Sequence, residues 1–112
     1  MLAQVYSLKG ERVIDEILGK GKKKQSDNFG VFFLDRKNSE PPKFAFVISK
    51  KISKLAVNRN RVKRAMSESV RRNVSRVPEG VEFVFLAKKS IVNKSTDEIM
   101  REVQDFLMDL KM

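Results

Sequence analysis

From Lys9 to Leu18 the apolar residues Val13, Ile14, Ile17 and Leu18 recur three and four positions apart, the spacing that gathers them on one side of a helix. Gly19 and Gly21 follow, where a helix can end. The polar run GKGKKKQSDN then reads as a solvated connection or an edge strand. In FGVFFL, Phe29 to Leu34, the period is two: Phe29, Val31 and Phe33 take one face of a strand, and Phe32 and Leu34 the other. DRKNSEPPK breaks the pattern with two prolines, as a hairpin connection would. KFAFVIS, Lys43 to Ser49, alternates Phe44, Phe46 and Ile48 against Ala45 and Val47. Both of its faces are dry, which predicts a central place in the sheet. Pro78-Glu79-Gly80 makes a turn before the apolar strand VEFVFLA, Val81 to Ala87. Ser95 with Glu98 three residues on fits a capping box, and Ile99, Val103, Phe106, Leu107 and Leu110 continue at helical spacing. Together with a basic segment between residues 50 and 76, these elements predict an α+β fold, a single-domain α/β sandwich over residues 1–112 with one main sheet and helices packed on it.

Size supports that reading: a chain of 112 residues holds one core and no second domain. Its apolar runs are strand-sized, so no spanning helix and no membrane association is expected. The N-terminal stretch lacks an apolar segment followed by a small-residue cleavage site, and the expected location is the cytoplasm. Without Cys there is no disulfide framework, and without His or Cys the usual transition-metal ligands are missing.

Charge changes the picture. The chain carries 24 Lys and Arg against 14 Asp and Glu, a net charge of +10. Between Lys50 and Arg76 there are ten basic residues and one acid, Glu68, so nearly all of the excess sits in one segment. A nearly neutral domain with one intensely basic element points to a polyanion, with nucleic acid ahead of an anionic membrane. Wound as a helix, residues 59 to 73 place Val62, Ala65, Met66, Ser69 and Val70 on an arc suited to packing on a sheet. Asn60, Arg61, Lys63, Arg64, Arg71 and Arg72 fall on the opposite arc, with Arg59 at its margin and Asn58 as the expected N-cap. Arg61 and Arg64 are both expected to point away from the core, so that replacing them barely affects stability. The small and β-branched apolar arc is unlike that of a membrane-surface helix, which shows Trp, Phe or Leu.

The stretch SKKISKLAVNRNRVKRAMSES, residues 49 to 69, closely resembles the signature of the bacterial ribonuclease P protein component: a Lys-Lys pair after a strand, then an Arg-Asn-Arg-x-x-Lys-Arg-like helix. The resemblance implies a central mixed sheet with a left-handed βαβ crossover at the basic helix, against the usual right-handed preference. It implies a ribonucleoprotein endoribonuclease that removes the 5′ leader of precursor tRNA, in which an RNA subunit performs hydrolysis with bound Mg²⁺. The protein's partners are then the catalytic RNA and precursor tRNA, with no protein partner expected. RNA contacts fall on Lys50, Lys51, Lys54, Arg59, Asn60, Arg61, Lys63, Arg64, Arg71 and Arg72. The leader lies in a cleft between the first helix and the sheet, at Ile14, Leu18, Phe32 and Ser49. Ile14 and Leu18 stand where the family often has aromatic residues and can pack against a base without stacking, which leaves stacking mainly to Phe32. Ser67 replaces a frequent Arg, and the link from Lys51 to Arg59 is one residue longer than in many members.

No catalytic residue and no protein-held metal is predicted. Phosphodiester hydrolysis needs a general base or carboxylates that gather metals, whereas Asp97, Glu98, Glu102, Asp105 and Asp109 fall on the polar side of the last helix. GKGKKK lacks the spacing of a phosphate loop and follows a helix rather than a strand. Two other readings stay open at this point: a ribosomal or nucleoid-like binding module, and a protein-only nuclease.

Overall fold

A computed structural model describes residues 2–110. Its elements are α1 (Glu11–Lys20), β1 (Lys22–Gln25), β2 (Phe29–Asp35), β3 (Lys43–Val47), α2 (Ala56–Asn73), β4 (Val81–Ala87) and α3 (Thr96–Met108), with short 3₁₀ turns at Gln4–Tyr6, Val74–Arg76 and Lys89–Asn93. The strands form one mixed sheet in the order β1-β2-β4-β3. β4 runs antiparallel to β2, with Phe33 opposite Phe83, and parallel to β3, with Phe44 opposite Phe83.

The period-two pattern sorts the strands' side chains as expected. Phe29, Val31 and Phe33 join Phe83, Phe85 and Phe44 beneath α2 and α3 in the larger core cluster. Its aromatic rings interlock, with Phe44 stacked on Phe83 at 5.0 Å and Phe106 edge-on to both Phe29 and Phe85. The other face carries Phe32, Leu34, Val84, Leu86 and Ala45, and α1 covers it with the fully buried Ile17. Thus the sheet is sandwiched between α1 and the α2–α3 pair.

Two expectations about the sheet are corrected. DRKNSEPPK is no hairpin connection, because β4 lies between β2 and β3. The segment crosses the end of the sheet instead and docks on the turn before β4, where Arg36 N–H donates to Gly80 O and Gly80 N–H donates to Glu40 O. Gly80 adopts a positive φ of 81°, and a Cβ there would sit 2.6 Å from Asn38 O, so both backbone and space require glycine. Nor is β3 central: it is an edge. It is not dry on both faces either: Phe44 and Ala45 are buried but Val47 is exposed, and the N-terminal segment lies alongside, where Leu8 N–H donates to Phe44 O. The lysine run forms β1, the opposite edge, and its exposed cations guard against pairing with other chains.

The helix ends follow local chemistry. Gly21 caps α1 by donating to Ile17 O, and a Cβ on it would lie 2.8 Å from Phe33 O, so this glycine lets the chain turn straight into β1. Ser95 and Glu98 form the expected reciprocal capping box on α3. α2 begins earlier than expected: its N-cap is Leu55, and Asn58 lies within the first turn, its side chain donating to Ser53 Oγ.

Candidate nucleic-acid interface

The apolar arc clamps α2 in place. Val62, Met66 and Val70 are fully buried, Ala65 is nearly so, and Ser69 Oγ donates to Met100 O of α3 at 2.6 Å. Asn73 ends the same stripe, its side chain donating to Ser69 O. A helix held this way presents its remaining side chains at fixed positions.

The cations fall into four groups. Arg59 donates to Ser53 O and Lys54 O, and so braces the connection between β3 and α2. Arg61 does not point into solvent as expected: its two Nη atoms donate to Val92 O and Lys94 O, each at 2.9 Å, and tie α2 to the segment before α3. A long guanidinium side chain can reach across to a neighbouring loop, so the direction of its Cα does not decide where its charge lies. Arg71 and Arg72 both meet Glu68. Hydrogen bonds from Arg71 hold the Glu68 carboxyl at about 2, and the same pairing raises the Arg71 pKa. Lys63 and Arg64 are exposed with no ion pair among the described residues, as are Lys50, Lys51 and Lys54 in the preceding connection. Arg64 makes one long in-helix contact, to Asn60 O at 3.3 Å.

A groove of about 600 Å³ runs beside this row. Leu8, Ile14 and Ala45 supply apolar lining, and Asn60, Lys63 and Ser67 form the wall on α2. Ile14 therefore faces the basic helix across the groove. Ser67 contributes a short hydroxyl here, donated to Arg64 O, which leaves the wall open. Leu18 and Phe32 do not line this groove; they are half-buried between α1 and the sheet, and Lys23 Nζ lies 5.3 Å from the centroid of the Phe32 ring. Ser49 is exposed beyond the end of β3 and accepts a backbone hydrogen bond from Ile52.

Two contributors escaped the sequence reading. Lys23 belongs with Phe32 because β1 pairs with β2 in a register that sets them opposite each other. Arg36 donates Nη2 to Glu16 of α1 and Nε to Glu82 of β4 at 2.7 Å, stapling α1 to the sheet. The Arg36 hydrogen bond lowers the Glu16 pKa, and the two carboxylates raise that of Arg36. Charge signs at Glu16, Arg36 and Glu82 are compatible with such a staple, but only the sheet order brings them together.

Two acids of α3, Glu98 and Glu102, have structural work. Glu102 accepts from Ser26 Oγ, from Asn28 N–H and from the Asn28 side chain, holding the β1–β2 turn. Glu98 completes the capping box, and the Ser95 backbone N–H lowers its pKa.

An α+β sandwich that sets an exposed cationic row on a clamped helix, beside an apolar groove, defines the class of protein. The family model described as Ribonuclease P matches residues 2–111. The chain belongs to this family. Among similar proteins, the ribonuclease P protein component of Pelotomaculum thermopropionicum is 31% identical over 103 residues, covering 92% of this chain and 87% of that one. That of Rippkaea orientalis is 28% identical, covering 99% and 91%. The solved structure of the Staphylococcus aureus RNase P protein superposes with a TM-score of 0.85 at 23% identity, covering 94% of each chain. The Thermotoga maritima RNase P protein gives 0.82 at 23% identity, over 95% of this chain and 98% of that one.

Proposed function

We propose that this chain is the protein subunit of ribonuclease P, binding the catalytic RNA and the 5′ leader of precursor tRNA while the RNA subunit carries out hydrolysis with Mg²⁺. The observation that carries this reading is the row Lys50, Lys51, Lys54, Lys63 and Arg64, exposed and without ion pairs among the described residues on a helix and lead-in fixed to the sheet. Like charges held close together repel one another in the free protein, and a phosphate backbone relieves them. Family membership makes the catalytic RNA the first candidate for that backbone.

Asn60 and Ser67 add hydrogen-bonding groups to the groove wall, and Ile14 offers an apolar surface for an unpaired base. Leu18 and Phe32 add apolar surface between α1 and the sheet, and the exposed Ser49 follows β3. Arg59 and Arg61 support the interface by holding the lead-in and the helix in register, and Arg71 and Arg72 extend positive potential toward the helix C-terminus.

Among the described residues, no three His, Cys, Asp or Glu side chains converge as a metal-holding group. The proposal leaves Mg²⁺ with the RNA.

Adding the purified chain to a bacterial ribonuclease P RNA at low Mg²⁺ tests the reading. Restored cleavage of precursor tRNA is expected. Absence of stimulation favours a binding module of another kind, and cleavage without any RNA subunit favours a protein-only nuclease.

A further inference from the structure

The start of α2 carries two exposed apolar residues that neither the core nor the groove uses. Leu55 is 62% and Val57 66% exposed, the highest values among the large hydrophobic residues described, and neither belongs to a core cluster. The segment under them is firmly built. Ile48 and Ile52 pack against the main core, and Ile52 N–H donates to Ser49 O. Ser53 Oγ accepts from Leu55 N–H and from the Asn58 side chain, while Arg59 donates to Ser53 O and Lys54 O. Two aliphatic side chains are thus held out to solvent at the N-cap and in the first turn of α2, directly after the connection that carries Lys50, Lys51 and Lys54.

We propose that Leu55 and Val57 form a contact point for exposed nucleobases of the catalytic RNA, with the neighbouring lysines on the flanking phosphates. The inference rests on the function proposed above and adds a base-facing element to it. Three lysines in one short connection match a polyanion and oppose a basic partner. Two side chains fall far short of the roughly 1,000 Å² that a specific protein interface clears, yet they suit the face of one or two bases. RNA presents such faces at loops, bulges and ends, where bases are unstacked. Because the turn is already ordered, little conformational freedom is lost on contact.

Apolar packing on a base releases no counterions, so it contributes affinity without contributing to the salt slope. That separates it from the lysines. In titrations of the full chain against a bacterial ribonuclease P RNA, Leu55→Ser with Val57→Ser is expected to weaken binding about tenfold at every salt concentration. The slope of log affinity against log salt and the melting temperature should stay unchanged. Lys51→Gln, in contrast, should make the slope shallower by about 0.7 to 0.9. Leu55→Lys gives the sharper test and covers the case in which the double variant melts early. An apolar contact predicts weaker binding despite the added cation, whereas pure electrostatics predicts tighter binding.

Wild-type affinity in the double variant, or tighter binding by Leu55→Lys, overturns the proposal while leaving the proposed function standing. If the unaltered chain fails to bind the RNA, both fall.

Discussion

Arg61 and Arg64 are three residues apart on α2, yet their side chains have different roles. Arg61 satisfies two carbonyl oxygens, at Val92 and Lys94, and Arg64 extends into solvent with one long in-helix contact. Removing the Arg61 side chain leaves those acceptors without their charged donor, and Arg61→Ala is expected to cost about 1–2 kcal/mol. For a chain of this size that is roughly 5–10 °C in melting temperature. Arg64→Ala should change stability by less than about 0.5 kcal/mol while weakening RNA binding, and thermal melts paired with RNA titrations check both. Glu68 supports a second prediction. Its folded pKa of about 2 lies below the ordinary 4.5, so the stabilising contribution is complete above 4.5 and is lost as pH falls toward 2. The melting-temperature advantage of the unaltered chain over Glu68→Gln should therefore narrow across that window, and an advantage that persists at its acid end counts against the assignment. The apolar stripe of α2 was legible in the sequence because periodicity is local. Arg61's destination was not, because its acceptors lie more than thirty residues downstream.

At the level of elements, strong local signals survived folding and weak ones yielded to the sheet. The Ser95–Glu98 box is a reciprocal pair within one turn, and it forms as the spacing demands. Ser95→Ala should cost about 1 kcal/mol, visible as a melting temperature lowered by roughly 4–8 °C. The alternation of Phe44, Phe46 and Ile48 against Ala45 correctly sorted the faces of β3, because side-chain direction is a property of the strand alone. Its position in the sheet depended on other segments: the Ser7–Leu8 stretch, not another strand, lies along its free edge, and the Val47 that suggested a second dry face is exposed. Asn58 misled for a comparable reason. A good capping residue competes with the preceding turn, and here Ser53 and Arg59 organise that turn so that the helix starts at Ala56. Likewise, the paired residues of the cleft, Phe32 with Lys23 and Glu16 with Arg36, become neighbours only through sheet register and α1 docking.

For the whole molecule, charge was readable from composition and its availability was not. Nine of the ten net positive charges lie between residues 50 and 76, but hydrogen bonds and ion pairs within the protein engage four of the arginines, Arg59, Arg61, Arg71 and Arg72. Of the other six cations, Arg76 lies past the end of α2 in the turn Val74–Arg76, and five form the row, exposed without ion pairs among the described residues: Lys50, Lys51, Lys54, Lys63 and Arg64. If these five meet phosphates, log affinity for RNA should fall against log salt with a slope of roughly −3.5 to −4.5, and a slope near zero would refute phosphate dominance. The position of β4 has a further consequence, for synthesis. The strand that joins β2 to β3 is encoded after both of them and after the basic helix. While the ribosome is still making the last third of the polypeptide, the earlier strands have no shared partner and the cationic segment has no finished surface to rest on. Closure must wait for Val81–Ala87 to leave the exit tunnel, so nascent chains halted before that point should stay open to protease, and those extended past α3 should become resistant.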